Sequence, residues 1–377
     1  MEVVRESNTR MDAVYDLAVV GGGPAGTSAA ITAARAGAKV LLLERGRLPR
    51  QRVCGEFVSG ESLDLLAGLL ADSAPELLAK APRISEARLF VEGRTICAPV
   101  SPPAASIGRF DLDAALWRAA EQSGIDARLL VTAESVEHHE HFEIRTANRR
   151  FHARALVSAV GRWSNLVVRY AGDSGTQWLG VKGHFAEPEA QASVDLYFFD
   201  GGYCGVQPVR LASRDDAVGN RVNACAMVRS DLARTLPEVF RLHPQLQMRS
   251  REWRPLMEPV TTFPLMFRKP RPTKDETLFV GDAAGFVDPF VGDGISLALR
   301  SGAMAAECLA PYFRAEISLA AATDRYRRKY DTELAPVFRS SSRIRQLLAL
   351  PRPVRRAASH LLERTPAVSR FFVKMTR

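Results

Sequence analysis

Short apolar runs and an alanine-rich stretch follow one another in the N-terminal part of the chain. Residues 15–20 are almost entirely apolar and predict a buried strand, whereas residues 25–36 predict a helix that stops at Gly37. A second apolar run over residues 39–43 predicts the next strand. Because strand, helix and strand follow within about thirty residues, this segment predicts a βαβ unit in a parallel sheet covered by helices.

The pattern changes after residue 178. Alternating apolar and polar positions over residues 194–228 predict strands of an antiparallel sheet, and residues 84–100 alternate in a similar way. Residues 278–280 then return to a buried strand, which is followed by a long helix from Gly294. We therefore expect an α/β fold in which a second sheet is inserted into the first domain. The predicted segments are residues 1–83, 101–178 and 265–339 for the first domain, residues 84–100 and 179–264 for the second, and residues 340–377 for a basic helical segment.

The composition agrees with a globular protein of two interlocked domains. The chain has 377 residues, of which 46% are hydrophobic and 25% are charged. No apolar run approaches the ~18 residues of a membrane-spanning helix, and the polar N-terminus lacks the apolar core of a signal peptide. Five scattered cysteines form no CxxC pair or Cys/His cluster, so no metal site is expected. We therefore expect free thiols and a cytoplasmic location.

The net charge of +9 is concentrated near the C-terminus. From Arg343 onward the chain has eight Arg, one Lys and one Glu, which together contribute +8. The nearly neutral body argues against a nucleic-acid-binding protein. The basic segment also contains apolar residues such as Leu361 and Phe371, and a basic amphipathic helix can make peripheral contact with an anionic membrane. The alternative, which we favour, is that the apolar face caps the core while the arginines are solvated.

The turn after the first strand has the spacing GxGxxG, which is typical of a dinucleotide site. The first glycine permits a tight turn, the second lets the backbone approach a pyrophosphate, and the third lets helix and strand pack closely. The start of the helix then directs amide N–H groups at the phosphates. Glu44 ends the second strand, where its carboxylate is expected to bind the hydroxyls of an adenosine ribose, with Arg45 beside it. The predicted residues of the turn are Gly21, Gly23, Pro24, Ala25 and Gly26.

A second glycine-rich segment, residues 281–295, contains Gly-Asp-Ala-Ala-Gly, then Asp-Pro, then Gly-Asp-Gly-Ile. With the first turn, it resembles the FAD-dependent oxidoreductases of the para-hydroxybenzoate hydroxylase superfamily, and particularly their geranylgeranyl reductase-like branch. The resemblance implies a Rossmann-type FAD-binding domain with an antiparallel substrate sheet over the flavin. It also implies that Asp282 contacts the ribityl chain and pyrophosphate, and that Pro289 lies beside the flavin ring. The backbone amides that would face the N1–C2=O edge of the flavin belong to Gly292, Gly294 and Ile295.

Two further segments match the family in part. Arg109 begins a predicted helix similar to the family's arginine segment near FAD, where it would pair with phosphate or the flavin edge; a surface salt bridge is the alternative. Residues 157–164 take the place of the family's Ala-Asp-Gly-x-x-Ser segment. Gly161 and Ser164 match, but Val160 stands where Asp is usual, so a nicotinamide-linked role of that Asp is not implied.

Three residues are candidates for catalysis. Cys54 lies in a loop that resembles the family's Cys-Gly loop at the flavin face, where it would steer substrate or relay a proton; a small buried hydrophobe is the alternative. Glu56 is a candidate proton donor if burial raises its pKa. Tyr203 lies on a strand that resembles the aromatic wall of the family's substrate cavity. Gly205 replaces the family's Trp, so a geranylgeranyl-specific pocket is not implied.

The resemblance implies a flavoprotein oxidoreductase that uses FAD and acts on a small hydrophobic substrate. The first hypothesis is hydride transfer from flavin N5 to a C=C bond of an isoprenoid or polyketide-like molecule. The second is a monooxygenase that hydroxylates an aromatic or polyketide ring. A halogenase is disfavoured because the Trp-x-Trp-x-Ile-Pro signature is absent, and a flavoprotein electron relay is a further alternative. NAD(P)H is a candidate transient donor, because no second GxGxxG turn would hold it tightly, and the oligomeric state is left open.

Overall fold

The computed structural model describes residues 14–162, 166, 177–210, 220–348 and 350–364. Its strands are β1 (Tyr15–Val20), β2 (Val40–Glu44), β3 (Phe57–Val58), β4 (Arg83–Val91), β5 (Arg94–Ser106), β6 (Asp126–Leu129), β7 (Ser135–His138), β8 (Phe142–Arg145), β9 (Arg150–Ser158), β10 (Trp178–Ala186), β11 (Ser193–Phe199), β12 (Gly202–Pro208), β13 (Arg221–Arg229), β14 (Arg254–Pro255), β15 (Val260–Leu265), β16 (Thr273–Lys274) and β17 (Thr277–Phe279). Its helices are α1 (Pro24–Arg35), α2 (Leu63–Leu70), α3 (Pro75–Ala79), α4 (Arg109–Gln122), α5 (Leu236–Arg241), α6 (Pro244–Arg249), α7 (Gly294–Phe313), α8 (Leu319–Glu333), α9 (Ala335–Leu348) and α10 (Arg352–Arg364).

The first sheet has β1 at its centre. β1 pairs in parallel with β2 and β9, and the parallel order continues to β6 on one side and β17 on the other. Leu17 and Ala18 point to opposite faces and are both fully buried, so both faces of this sheet are covered. α1 ends at Arg35, shortly before Gly37, whose φ of 89° suits the left-handed residue after a helix. The prediction of a Rossmann-type α/β domain is confirmed.

The second sheet has the strand order β14-β10-β13-β12-β11-β4-β5-β3, and β15 pairs with β10 next to β14. Most neighbouring strands are antiparallel, as predicted, but β4 and β11 run parallel. β5 continues to Ser106, beyond the predicted segment, because Ala104 and Ala105 are fully buried at its end. Residues far apart in the chain therefore build one sheet beside the first domain.

The two faces of the second sheet have different environments. One face carries apolar side chains such as Val181, Val206 and Ala224, which pack in one cluster with Leu236 of α5 and Leu246 of α6. The other face is turned towards the first domain. Three adjacent cross-strand rows lie on this face: Gly180–Met227–Tyr203, Lys182–Cys225–Gly205 and His184–Asn223–Gln207.

The described part of the C-terminal segment packs against the body of the protein, and its helical character is confirmed. Ser341 of α9 is buried, and its hydroxyl accepts a hydrogen bond from the amide of Asp288 at 3.2 Å. Arg355 of α10 donates to Glu92 at 2.9 Å and to Asp200 at 2.5 Å. None of the described helices combines the length and the apolar character needed to cross a bilayer. Residues 365–377 lie outside the described residues, and membrane contact by this segment stays a prediction.

Candidate functional site

The glycine turn between β1 and α1 leaves room for a ligand at one position only. A Cβ on Gly26 would lie 1.8 Å from the carbonyl oxygen of Gly21, so Gly26 serves the packing of helix on strand. Gly21 itself has a φ of 114°. A Cβ on Gly23 would meet no atom within 4 Å. Gly23 also lines a large cavity between the first domain and the second sheet, here called the central cavity. The open space at Gly23, at the start of α1, fits a pyrophosphate.

Glu44 is fixed in the place where an adenosine ribose is expected. Its Oε2 accepts a hydrogen bond from the amide of Gly22 at 2.9 Å, and its Oε1 accepts one from the amide of Gly46 at 2.7 Å. Arg50 lies 2.9 Å from the same Oε1. Because a carboxylate can accept about four hydrogen bonds, one more acceptor position is left for a ribose hydroxyl.

The second glycine segment presents amides at the start of α7, but the amide of Gly292 donates to the carbonyl oxygen of Pro289 at 3.1 Å. The first amides of this helix, as of any α-helix, have no intrahelical partner. The residue before the helix, Asp293, does not cap them with its side chain. Gly292 adopts a φ of 76°, and both Gly294 and Ile295 line the central cavity. A helix start of this kind stabilises the negative charge of reduced flavin near N1. The chain thus fits the flavin ring here as well as the pyrophosphate at α1.

A cavity of about 660 Å³ joins the two glycine segments to the second sheet. All the predicted site residues except Gly26 line it, so the structure brings them together, and their individual roles stay predictions. Those predicted residues are Gly21, Gly23, Pro24, Ala25, Glu44, Arg45, Cys54, Glu56, Arg109, Gly161, Tyr203, Asp282, Pro289, Gly292, Gly294 and Ile295. The second sheet adds further lining residues, among them Gly180, Cys225, Met227, Thr262 and Leu265.

The prediction of Glu56 as a proton donor is wrong, because its condition, a pKa raised by burial, is not met. Glu56 is fully buried, and burial by itself raises its pKa. The ammonium of Lys182 and a 2.8 Å hydrogen bond from His184 Nε2 outweigh burial and lower that pKa to about 2. The amide of Arg109 donates to the same carboxylate at 2.8 Å. Glu56 is therefore ionised at neutral pH.

Lys182 and His184 contact Glu56 at this site, and the sequence patterns did not single them out. Both lie on β10 and face the first domain, and both are almost completely buried. A buried lysine is rare unless it has an ionic partner. The available signal was the alternation of Gly180, Lys182 and His184 with apolar residues, which marks a polar face on an otherwise buried strand.

Cys54 and Tyr203 carry protons at the cavity wall. Burial raises the pKa of the Cys54 thiol above its ordinary 9.0, and burial raises the pKa of Tyr203 well above 10.0. The Cys54 Sγ accepts a hydrogen bond from the amide of Glu56 at 3.3 Å. The ring of Tyr203 packs edge-on against Phe290, with centroids 6.0 Å apart. Both side chains are thus neutral at pH 7 and lie beside apolar groups.

Two arginines at the cavity have carboxylate partners. Arg109 forms a bidentate pair with Asp113, both bonds being 2.8 Å, and Asp113 is only 1% exposed, so this is not a surface salt bridge. Arg162 lies 3.4 Å from Asp282, a contact that no local sequence pattern predicted. Arg162 therefore interacts with the residue expected to bind the ribityl chain. Ser164 lies outside the described residues.

Asp288 makes a testable contribution to stability. It is 3% exposed, neither carboxylate oxygen has a hydrogen-bond partner among the described residues, and Arg345 is 3.8 Å away. Burial outweighs Arg345 and raises the pKa of Asp288 from 3.8 to about 7. A pKa that folding raises means that stability is highest at low pH and falls as pH rises from about 4 towards 7.

We expect Asp288→Asn to remove this pH-dependent loss. The free energy of unfolding of the variant minus that of the wild type should be about 2–3 kcal/mol larger at pH 8 than at pH 5. Urea unfolding of both proteins at the two pH values measures the difference. A gain that is the same at both pH values would contradict the assignment, and Asp275→Asn, on an exposed turn, is the control.

Comparisons with known proteins agree with this geometry. Menaquinone reductase from Mycobacterium tuberculosis is 26% identical over 371 residues, covering 91% of this chain and 86% of the relative. Digeranylgeranylglycerophospholipid reductase 2 from Methanopyrus kandleri is also 26% identical, covering 86% of this chain and 84% of the relative. The expected geranylgeranyl reductase-like resemblance is confirmed.

Solved structures share the fold at lower identity. A geranylgeranyl bacteriochlorophyll reductase-like protein from Thermoplasma acidophilum has a TM-score of 0.76 at 20% identity, with 96% of this chain and 95% of that chain covered. A flavin-dependent brominase has a TM-score of 0.79 at 18% identity, with 97% and 93% covered. The model of the FAD binding domain family matches residues 14–337. The chain therefore belongs to the FAD binding domain family and is an FAD-dependent oxidoreductase.

Proposed function

We propose that this protein reduces a C=C bond of an apolar, unsaturated substrate of the isoprenoid or polyketide-like class. The observation that carries the proposal is the pair of protonated side chains, Cys54 and Tyr203, at the apolar wall of the cavity that contains both flavin-binding segments. The curated relatives named above are reductases whose names refer to a menaquinone and to geranylgeranylated lipids.

Reduction of a C=C bond requires a hydride at one carbon and a proton at its neighbour. Bound FAD, once reduced, supplies the hydride. Of the two protonated side chains, the thiol of Cys54 has the lower ordinary pKa and is the better proton donor. Tyr203, Met227 and Leu265 form part of an apolar cluster at the cavity and exclude water from the double bond. Binding of an apolar chain against them is favoured by burial of its surface.

The experiment is an anaerobic turnover of the dithionite-reduced enzyme with menaquinone or a geranylgeranylated glycerophospholipid, followed by mass spectrometry. We expect a product heavier by two hydrogens for each reduced C=C bond, and fragmentation should place them in the isoprenoid chain, because reduction of a quinone ring alone also adds two hydrogens. Cys54→Ala should lower the rate about 10²-fold or more, whereas Cys97→Ala, at an exposed cysteine, should not. A product that forms only with O2 and contains added oxygen would instead support the monooxygenase, and would refute the reductase.

We further propose NAD(P)H as the electron donor, bound only transiently. Anaerobic addition of NADH or NADPH should then bleach the flavin absorbance within the turnover time. Bleaching by dithionite but by neither nucleotide would contradict this donor, and would point to a protein or quinol partner.

A further inference from the structure

The loop that carries Cys54 is held on both sides by one buried ammonium group. Lys182 of β10 is fully buried, and its Nζ donates to the carboxylate of Glu56 and, at 3.0 Å, to Oε1 of Gln51. Gln51 and Glu56 flank Cys54 in the chain. A single side chain of the second sheet therefore fixes both flanks of this loop.

Glu56 connects the loop to both domains. His184 of β10 donates to one carboxylate oxygen at 2.8 Å, and the amide of Arg109 at the start of α4 donates to the other at 2.8 Å. Glu56 also has a φ of 62°, a left-handed conformation that side chains with a Cβ rarely adopt. Such a conformation persists where the surrounding contacts determine it, and it is common at functional sites.

The backbone at Cys54 is bonded to the second sheet from behind. Nδ2 of Asn223 donates to the carbonyl oxygens of Cys54 and Gly55, at 3.1 Å and 2.9 Å. The Sγ of Cys54 accepts from the amide of Glu56, and the side chain lines the cavity. These contacts hold the backbone of the loop against the second sheet, with the Cys54 side chain at the cavity.

A buried ion pair is poor evidence for a gain in stability. Removing two charges from water is costly, and apolar replacements of such pairs are often as stable. The charges here lie close to a thiol, and they act on its proton. Burial has the largest effect and raises the pKa of Cys54. The cation of Arg109 and the amide of Glu56 lower this pKa. The carboxylate of Glu56 raises it, and the cation of Lys182 lowers it.

We propose that Lys182 and Glu56 form a positioning pair, which orients the Cys54 thiol towards the cavity, and in which the ammonium of Lys182 offsets the repulsion between the Glu56 carboxylate and the thiolate left after proton transfer. In this step the S–H bond breaks, and the proton forms a C–H bond beside the carbon that receives the hydride. The thiolate then regains a proton from solvent, and Lys182 and Glu56 keep their charges. The transfer of this proton to a substrate rests on the proposed function. The contacts that hold the Cys54 loop against Lys182 do not.

The test is alkylation of Cys54 by iodoacetamide in the FAD-loaded protein from about pH 8 to 12, with the Cys54 peptide quantified by mass spectrometry. Lys182→Met should move the midpoint of the pH profile upward by about half a unit or more, because a cation is lost. The double variant Glu56→Gln/Lys182→Met should keep a midpoint near the wild type, because both charges are lost. Its plateau rate should rise about threefold or more, because the loop is released. Lys182→Arg should keep the wild-type profile.

Lys274→Met, at a 59% exposed lysine, is the matched control and should change neither midpoint nor plateau. The proposal is overturned if the Lys182→Met midpoint stays in place or if the double variant has the wild-type plateau. If Lys182→Met does not fold, the alkylation profiles of the double variant and of Lys182→Arg test the proposal, because neither variant leaves an unpaired buried charge. The assay uses no substrate, so a wild type that fails to reduce C=C bonds refutes the proposed function without changing this result.

Discussion

Lys182→Met is expected to lower the free energy of unfolding by about 3–5 kcal/mol at pH 7, because it leaves the carboxylate of Glu56 buried without a counter-ion. Both side chains are fully buried, so water cannot replace the lost ammonium. Urea unfolding of the FAD-loaded protein measures the change. The size of this loss exceeds that of an ordinary surface substitution several-fold.

The pH dependence of this loss identifies its cause. The pKa of Glu56 is lowered from 4.5 to about 2, so its contribution to stability is present above pH 4.5 and is lost as pH falls through about 2. In Lys182→Met the buried carboxyl takes up a proton more readily, so the penalty should shrink between pH 7 and pH 4. Glu56→Gln/Lys182→Met should recover most of the lost stability. A loss below about 1 kcal/mol at pH 7 would show that Glu56 has adequate partners without Lys182.

Gly23→Val is expected to weaken FAD binding by about 100-fold or more, because the added side chain occupies the open space at the start of α1 where the pyrophosphate fits. Gly23 has an ordinary φ of −79°, so valine is not strained there. The FAD-free protein should therefore unfold within about 1 kcal/mol of the wild type. Titration of the FAD-free protein with FAD, followed by flavin fluorescence, measures the affinity.

Two other glycines make the comparison specific. Gly26→Ala should destabilise the fold itself, since its Cβ would overlap the carbonyl of Gly21. Gly68→Ala lies in α2, away from the cavity, and nothing lies within 4 Å of its Cβ position. This variant should bind FAD as the wild type does, and its free energy of unfolding should not decrease. Stoichiometric yellow flavin in purified Gly23→Val would refute the assignment of the pyrophosphate to this turn.

Local sequence patterns were sufficient for the parts of the site that depend on local backbone geometry. The turn at Gly21 and the start of α7 at Gly294 need glycines at fixed spacings, and these spacings are visible in the chain. The same holds for Glu44, because it ends the strand next to the turn. The clustering of these distant segments at one cavity followed from the resemblance to the family.

The charges around Cys54 could not be predicted in this way. Glu56 and Lys182 are 126 residues apart, and their contact depends on which face of β10 meets the first domain. Without that contact, burial was the only visible influence on Glu56, and burial acts in the opposite direction on its pKa. The same dependence on long-range pairing explains why Arg162 at Asp282 was not expected.

The inserted strands enter and leave the first domain side by side. Trp178 at the start of β10 is paired with Leu265 at the end of β15, so the two ends of the insertion are neighbours. A segment whose two ends are adjacent can be exchanged between relatives without changing the distance between the two points at which it joins the first domain. A chimera that carries residues 178–265 of a relative should therefore bind FAD as before while it takes over most of the relative's choice of substrate.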